Sequence, residues 1–214
     1  MALLLSLLAL HSAAAATTAR AASLPKSFTG TLTDVETAAP LTETTTTAYG
    51  TFHQTFSGYT VTYKFTGLVF RPNAQGLYTM AHGYLSTNGF EVTQTAPAGQ
   101  TDGGCVAHYM FKPSGSPTGN IGGFSETDGK WQATVSLGVT MVAAGKGGVK
   151  ATGCGPKLAS TSNIYGVPPR IGVEIIATGS YDPSTQKLTF DSTVPDPATS
   201  DQGRQSHKVD GTLR

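Results

Sequence analysis

Charge is scarce in this chain. Lys, Arg, Asp and Glu make up 13% of 214 residues, and the formal net charge is +1. No basic stripe is present to neutralise phosphates, so neither nucleic acid nor an anionic membrane surface is expected as a partner. Cysteine is almost absent, with only Cys105 and Cys154. A structural metal centre needs about four ligands. Cys105-x-x-His108 supplies two, and Cys154 has no neighbouring histidine. No metal and no cofactor are therefore expected. A long apolar run is also missing. The longest, Ala2 to Leu10, falls short of the roughly 20 residues that a spanning helix needs. None of the four asparagines followed through the chain, Asn73, Asn88, Asn120 and Asn163, has Ser or Thr two residues later.

The apolar run at the start does carry information. Small residues follow it at once, with A-x-A sites around Ala13 to Ala16 and Ala19 to Ala21. This is the pattern of a secretory signal peptide, although no Lys or Arg precedes the run. Residues 1–21 are expected to be a leader and residues 22–214 a single secreted domain with no membrane span. Two lone cysteines in an oxidising compartment pair with each other. A Cys105–Cys154 disulfide closes a loop of about 50 residues, worth about 4 kcal/mol in the chain-entropy picture.

Glycine and threonine are plentiful, which favours turns and strands. In "YTVTYKFT", Tyr59, Val61, Tyr63 and Phe65 share one face and polar residues take the other. "KWQATVSLGVTMV" repeats this from Trp131 to Met141. A helix would scatter those side chains around its circumference. Further strands are expected over Phe28–Thr33, Ala48–Gln54, Gly76–Leu85, Phe90–Gln94, Cys105–Lys112, Ile121–Ser125, Val149–Thr152, Ile171–Thr178, Lys187–Phe190 and Lys208–Leu213. Asp182-Pro183 and Asn88-Gly89 read as hairpin turns. "TETTTTAYG" reads equally as an arm or an edge segment. No amphipathic helix stands out. The expectation is an all-β domain, an antiparallel β-barrel or two-sheet β-sandwich of about ten to twelve strands with one disulfide.

Motifs for chemistry are few. "AAGKGGVKATG" opens like a phosphate loop, but Lys150, Ala151 and Thr152 stand where Gly, Lys and Ser/Thr belong, and no helix follows. "GGFSETDG" lacks the second glycine of a nucleophile elbow and reads as an acidic hairpin tip before Trp131. The histidines remain. His82 alternates with Tyr78, Met80 and Tyr84, His108 with Val106 and Met110, and His53 with Tyr49 and Thr51. If these faces met inside a barrel, Tyr78, His82, Tyr84, His108 and Trp131 would line a ligand pocket. His82, His108 and Glu174, the lone charge of "IGVEIIATG", are the candidate acid/base groups. Aromatic strand faces and long Pro/Gly loops favour a secreted binding module over an enzyme. Its ligand would be a small apolar or carbohydrate molecule or an extracellular partner. The alternatives are a secreted enzyme with a His/Glu site assembled in space, and a structural cell-envelope or extracellular protein.

Overall fold

The computed structural model describes residues 24–47, 50–95, 106–143, 149–152, 170–195 and 205–214. The 1–21 leader and both cysteines lie outside these residues. Thirteen strands are present, and no helix is found among the described residues. They are β1 (Phe28–Ala38), β2 (Leu41–Thr47), β3 (Gly50–Phe56), β4 (Tyr59–Pro72), β5 (Tyr78–Ser86), β6 (Phe90–Thr95), β7 (Val106–Pro113), β8 (Thr118–Thr127), β9 (Lys130–Ala143), β10 (Val149–Thr152), β11 (Arg170–Asp182), β12 (Lys187–Pro195) and β13 (Gln205–Leu213).

All strands join one antiparallel sheet, which curls into a ring. Its pairing runs β11-β12-β13-β1-β4-β5-β8-β9, and β9 returns to β11 over twelve residue pairs, from Arg170↔Val142 to Tyr181↔Trp131. The fold is therefore the barrel alternative, not the sandwich. Closure also satisfies the edge groups that an open sheet would leave bare. The first and last strands meet on this wall, where the N–H groups of Thr29 and Arg214 donate to each other's carbonyls.

The count exceeds the expected ten to twelve because several strands are interrupted. Pro113 of β7 and Thr118 of β8 lie along the same edge of β9, opposite Met141 and Gly138. Ser114 N–H donates to Thr140 O between them. β7 and β8 thus continue in one direction, as do β5 and β6. This corrects the Asn88-Gly89 hairpin. β5 pairs with β4 and β8, whereas β6 pairs with β7 and β3. Gly89 has φ +77°, and a Cβ there would lie 1.9 Å from the Phe111 carbonyl oxygen. The dipeptide kinks a strand past its neighbour and does not reverse it. Eight strands close the ring, and β6 and β7 bring the wall to ten by continuing it above β5 and β8. β2 and β3, including the Thr-rich segment, form a hairpin that prolongs β1 and β4.

Two ends result. At one, β4–β5, β8–β9 and β11–β12 are joined by tight turns. Asn73 Oδ1 accepts from Gln75 and Leu77 N–H, Asp128 and Gly129 take φ 52° and 74°, and Asp182 accepts from Ser184 and Thr185. The Asp182-Pro183 hairpin and the acidic tip before Trp131 are thus as expected. Behind these turns Phe28 packs edge-on to Tyr78 and Tyr181, with centroids 4.9 and 5.9 Å away, and stacks on Phe124. At the opposite end lie Arg170, Pro195 and Gln205, the strand ends that border the longer connections. Between the ends the inward residues of the alternating strands form one apolar cluster, from Phe28 and Leu32 to Leu137, Ile175 and Leu213.

A candidate acid–imidazole site inside the ring

The inward face of β1 reads Phe28, Leu32, Asp34, Glu36, Ala38. The strand does not lose its phase at the acids, so both carboxylates point into the ring at the end with the longer connections. Asp34 is 0% and Glu36 2% exposed. On one side of β1, β13 sets His207 opposite Glu36 and Gln205 opposite Ala38. On the other side, β4 sets Tyr63 opposite Asp34 and Tyr59 opposite Ala38. Such facing and diagonal positions bring side chains within reach across strands.

Two linked groups form. His207 Nδ1 lies 2.8 Å from Asp34 Oδ2, with both side chains buried. The carboxylate holds the proton on Nδ1 and fixes the ring's orientation. Glu36 accepts from two phenols, Tyr59 OH to Oε1 at 2.6 Å and Tyr63 OH to Oε2 at 2.8 Å. Gln205 Nε2 in turn donates to Tyr59 OH at 2.8 Å. A chain of hydrogen bonds thus runs from the half-buried Gln205 and Tyr59 down to the buried Glu36 and Tyr63.

Burial dominates the electrostatics. It pushes the Glu36 carboxyl above its ordinary value of 4.5, and the Asp34 charge adds to this. The Tyr59 and Tyr63 hydroxyls and the His207 charge pull the other way. Tyr63 is pushed up first by burial and then by the negative Glu36 beside it, so it stays a donor. Two further hydroxyls, Ser192 Oγ and Tyr181 OH, are buried without a hydrogen bond. Ser192 faces Val209 on the neighbouring strand, two positions from His207. Among the described residues no group of three or more His, Cys, Asp or Glu is placed to hold a metal ion.

The residues singled out from sequence lie elsewhere. His82 is exposed on the outer wall, with Nδ1 3.2 Å from Gly67 O and its ring edge-on to Tyr84. Tyr84 is 62% exposed. His108 also faces outward, and its Nδ1 is shared between Glu91 Oε1 at 3.0 Å and Thr93 Oγ1 at 3.1 Å. Tyr109 and Phe111, its neighbours in alternation, point in and are buried. Glu174 is exposed and accepts from Ser136 Oγ at 3.2 Å. Tyr78 is buried behind the tight turns and donates to Pro25 O. Trp131 is half-buried at the same end, beside Tyr181 and Pro183. His53 lies in β3 opposite Thr44. Of His82, Tyr84, His108, Glu174, Tyr78 and Trp131, none joins the Asp34–Glu36–His207 cluster.

The class defined is an antiparallel β ring with a titratable interior at the end with the longer connections. Comparisons with protein-family models, with curated proteins and with solved structures return no match.

Proposed function

We propose that the chain is a secreted ligand-binding barrel that admits a small molecule at the end with the longer connections, against the Glu36 and Asp34–His207 groups. One observation carries this reading: two carboxylates, an imidazole and two phenols converge inside a wall that is otherwise apolar. Burying such groups is unfavourable, and well-packed apolar residues would hold the ring together at least as well. Buried titratable clusters of this kind concentrate at functional sites. Aromatic side chains on the same inner wall, Tyr59 stacked on Phe90 at 4.2 Å and Phe90 on Phe111 at 5.1 Å, offer an apolar surface for the body of a guest. Native mass spectrometry of protein recovered from its secretion medium tests the reading. An added mass that disappears on denaturation, and that weakens in Glu36→Gln or His207→Asn, is expected. A bare native mass, with no small molecule retained by either form, rejects it.

A second reading is acid/base catalysis at the same place. It is favoured by the 2.8 Å Asp34–His207 pair, which orients an imidazole as general acid/base chemistry requires. Turnover of a retained molecule, abolished by His207→Ala with binding kept, separates catalysis from binding.

A further inference from the structure

The tight-turn end of the barrel carries a concave surface of its own, apart from the interior cluster and independent of the reading above. The last rungs of β9 and β11 set Trp131 opposite Tyr181 and Gln132 opposite Ser180. Beyond them the chain turns at Asp128-Gly129 and after Asp182. These rungs and turns line a groove of about 300 Å³. That volume is the lower limit for a ligand pocket and suits a small guest. Trp131 is the only tryptophan of the chain. It keeps the phase of Ala133 and Val135, but it sits at the rim and is half-buried. Part of it packs on the core, and it also lines the groove. Among the described residues no other aromatic ring stacks on it. Its neighbour Tyr181 packs its ring on Phe28 and Phe124 instead.

Polar groups surround the indole. Gln132 and Ser180 each donate and accept. Lys130 only donates, and it forms no ion pair among the described residues. Asp182 only accepts. Its Oδ1 takes the Ser184 N–H and hydroxyl and its Oδ2 takes the Thr185 hydroxyl, so the turn fixes the carboxylate and leaves one lone pair on Oδ2. One positive and one negative charge line the groove, which gives no net field to draw an ion of either sign. The complement of this surface is a neutral molecule with a flat C–H face and hydroxyls around its edge. C–H bonds are weakly positive and the indole face is negative, so the two attract. A pyranose whose hydroxyls lie equatorial has that form. We propose that the groove is a saccharide site, in which a β-linked, gluco-configured ring stacks on Trp131 and its hydroxyls bond to Gln132, Ser180, Lys130 and Asp182.

Because Trp131 is the only indole, its fluorescence reads the groove directly. The full chain is titrated with cellotriose, chitotriose and sorbitol. At least one trisaccharide is expected to give a saturable blue shift with a Kd of about 1 mM or tighter. Sorbitol, an acyclic polyol with no ring face, is expected to give none. Gln132→Ala keeps the reporter and removes one hydrogen-bonding side chain, so it should weaken the same binding about three- to tenfold. Trp131→Ala, read by isothermal titration calorimetry, should weaken it at least about tenfold. Silence from both trisaccharides overturns the proposal. Saturation by sorbitol with equal affinity overturns it too, because no ring face is then being read. Binding at full strength in both variants removes the site from this groove. If Trp131→Ala does not fold, the Gln132→Ala titration decides alone.

Discussion

Replacing Glu36 by Gln removes a charge and almost no volume, so it isolates the electrostatic term. Where Glu36 is ionised, its carboxylate is opposed by burial that amounts to several kcal/mol. It is supported by two phenol donors, each worth about 1.5–3 kcal/mol as a bond to a charged acceptor. Glutamine keeps much of the second term. Its Oε1 can accept from Tyr59, which already accepts from Gln205, and its amide can donate to Tyr63 once that hydroxyl rotates. The first term vanishes. We expect Glu36→Gln to be more stable at pH 8 by about 1–3 kcal/mol, the range seen when buried ionic groups give way to neutral ones. For a domain of this size that is a rise of about 2–12 °C in Tm. The pH dependence gives the sign. The folded pKa of Glu36 is raised above 4.5, so the native state holds its proton more tightly than the unfolded chain. The stability tied to that proton is complete below the unfolded value and is lost as pH rises through the folded value. The advantage of Glu36→Gln is therefore expected to shrink as pH falls towards 4. Thermal melts of both proteins from pH 4 to 9 measure it. A variant less stable than the parent by more than about 2 kcal/mol at pH 8, with no narrowing in acid, refutes the view that the site is held at the expense of stability.

Three further outcomes are expected. Gly89→Ala forces a side chain to φ +77° with its Cβ against the Phe111 carbonyl, so chemical denaturation should show a loss of at least about 2 kcal/mol. Asp182 is held down to about 2 by the Ser184 and Thr185 hydroxyls and the Ser184 N–H. Its contribution is present above the ordinary 3.8 and is lost as pH falls through about 2, so Asp182→Ala should melt lower at neutral pH and match the parent near pH 2. Val106 and Thr152, the paired ends of β7 and β10, lie one and two residues from Cys105 and Cys154. An intact mass two hydrogens below the reduced formula is expected, with stability falling by about 4 kcal/mol on reduction; free thiols in the purified protein would refute the bridge.

The barrel wall was largely legible in the sequence, because a period of two is a local property. Tyr59 to Phe65 and Trp131 to Met141 alternate without a break, and the ring buries one face of each. Closure was not legible. Whether β9 meets β11 depends on pairing between segments far apart in sequence, and alternation is the same in a sandwich. The interrupted strands misled in a specific way. Asn88-Gly89 has the chemistry of a reversal, since glycine tolerates positive φ, but the same freedom serves a kink. The next strand's partners decide between the two.

The site is hidden from apolar alternation because its charges lie just beyond the apolar stretches of their strands. The expected first strand stopped at Thr33, one residue before Asp34, and the expected last strand began at Lys208, one residue after His207. Both strands in fact run on, to Ala38 and back to Gln205. A signal was present. Asp34 and Glu36 fall in phase with Phe28 and Leu32, and His207 falls in phase with Val209 and Leu213. A charge in phase with a buried face either ends the strand or is paired inside, and one strand alone cannot decide. Two such charges on neighbouring strands can, because each supplies what the other lacks: Asp34 needs a donor and His207 needs an acceptor. The outward histidines, His82 and His108, alternate with aromatic and apolar residues, the pattern of a pocket wall. Bulges at Thr66/Val69 and between Val69 and Phe70 change the phase of β4 against β5, and Gly67 takes φ 59° there. Downstream of Met80, Leu85 packs inward and Tyr84 turns to solvent. Aromatic alternation marks a strand, but only phase carried unbroken from the core shows which of its faces is inside.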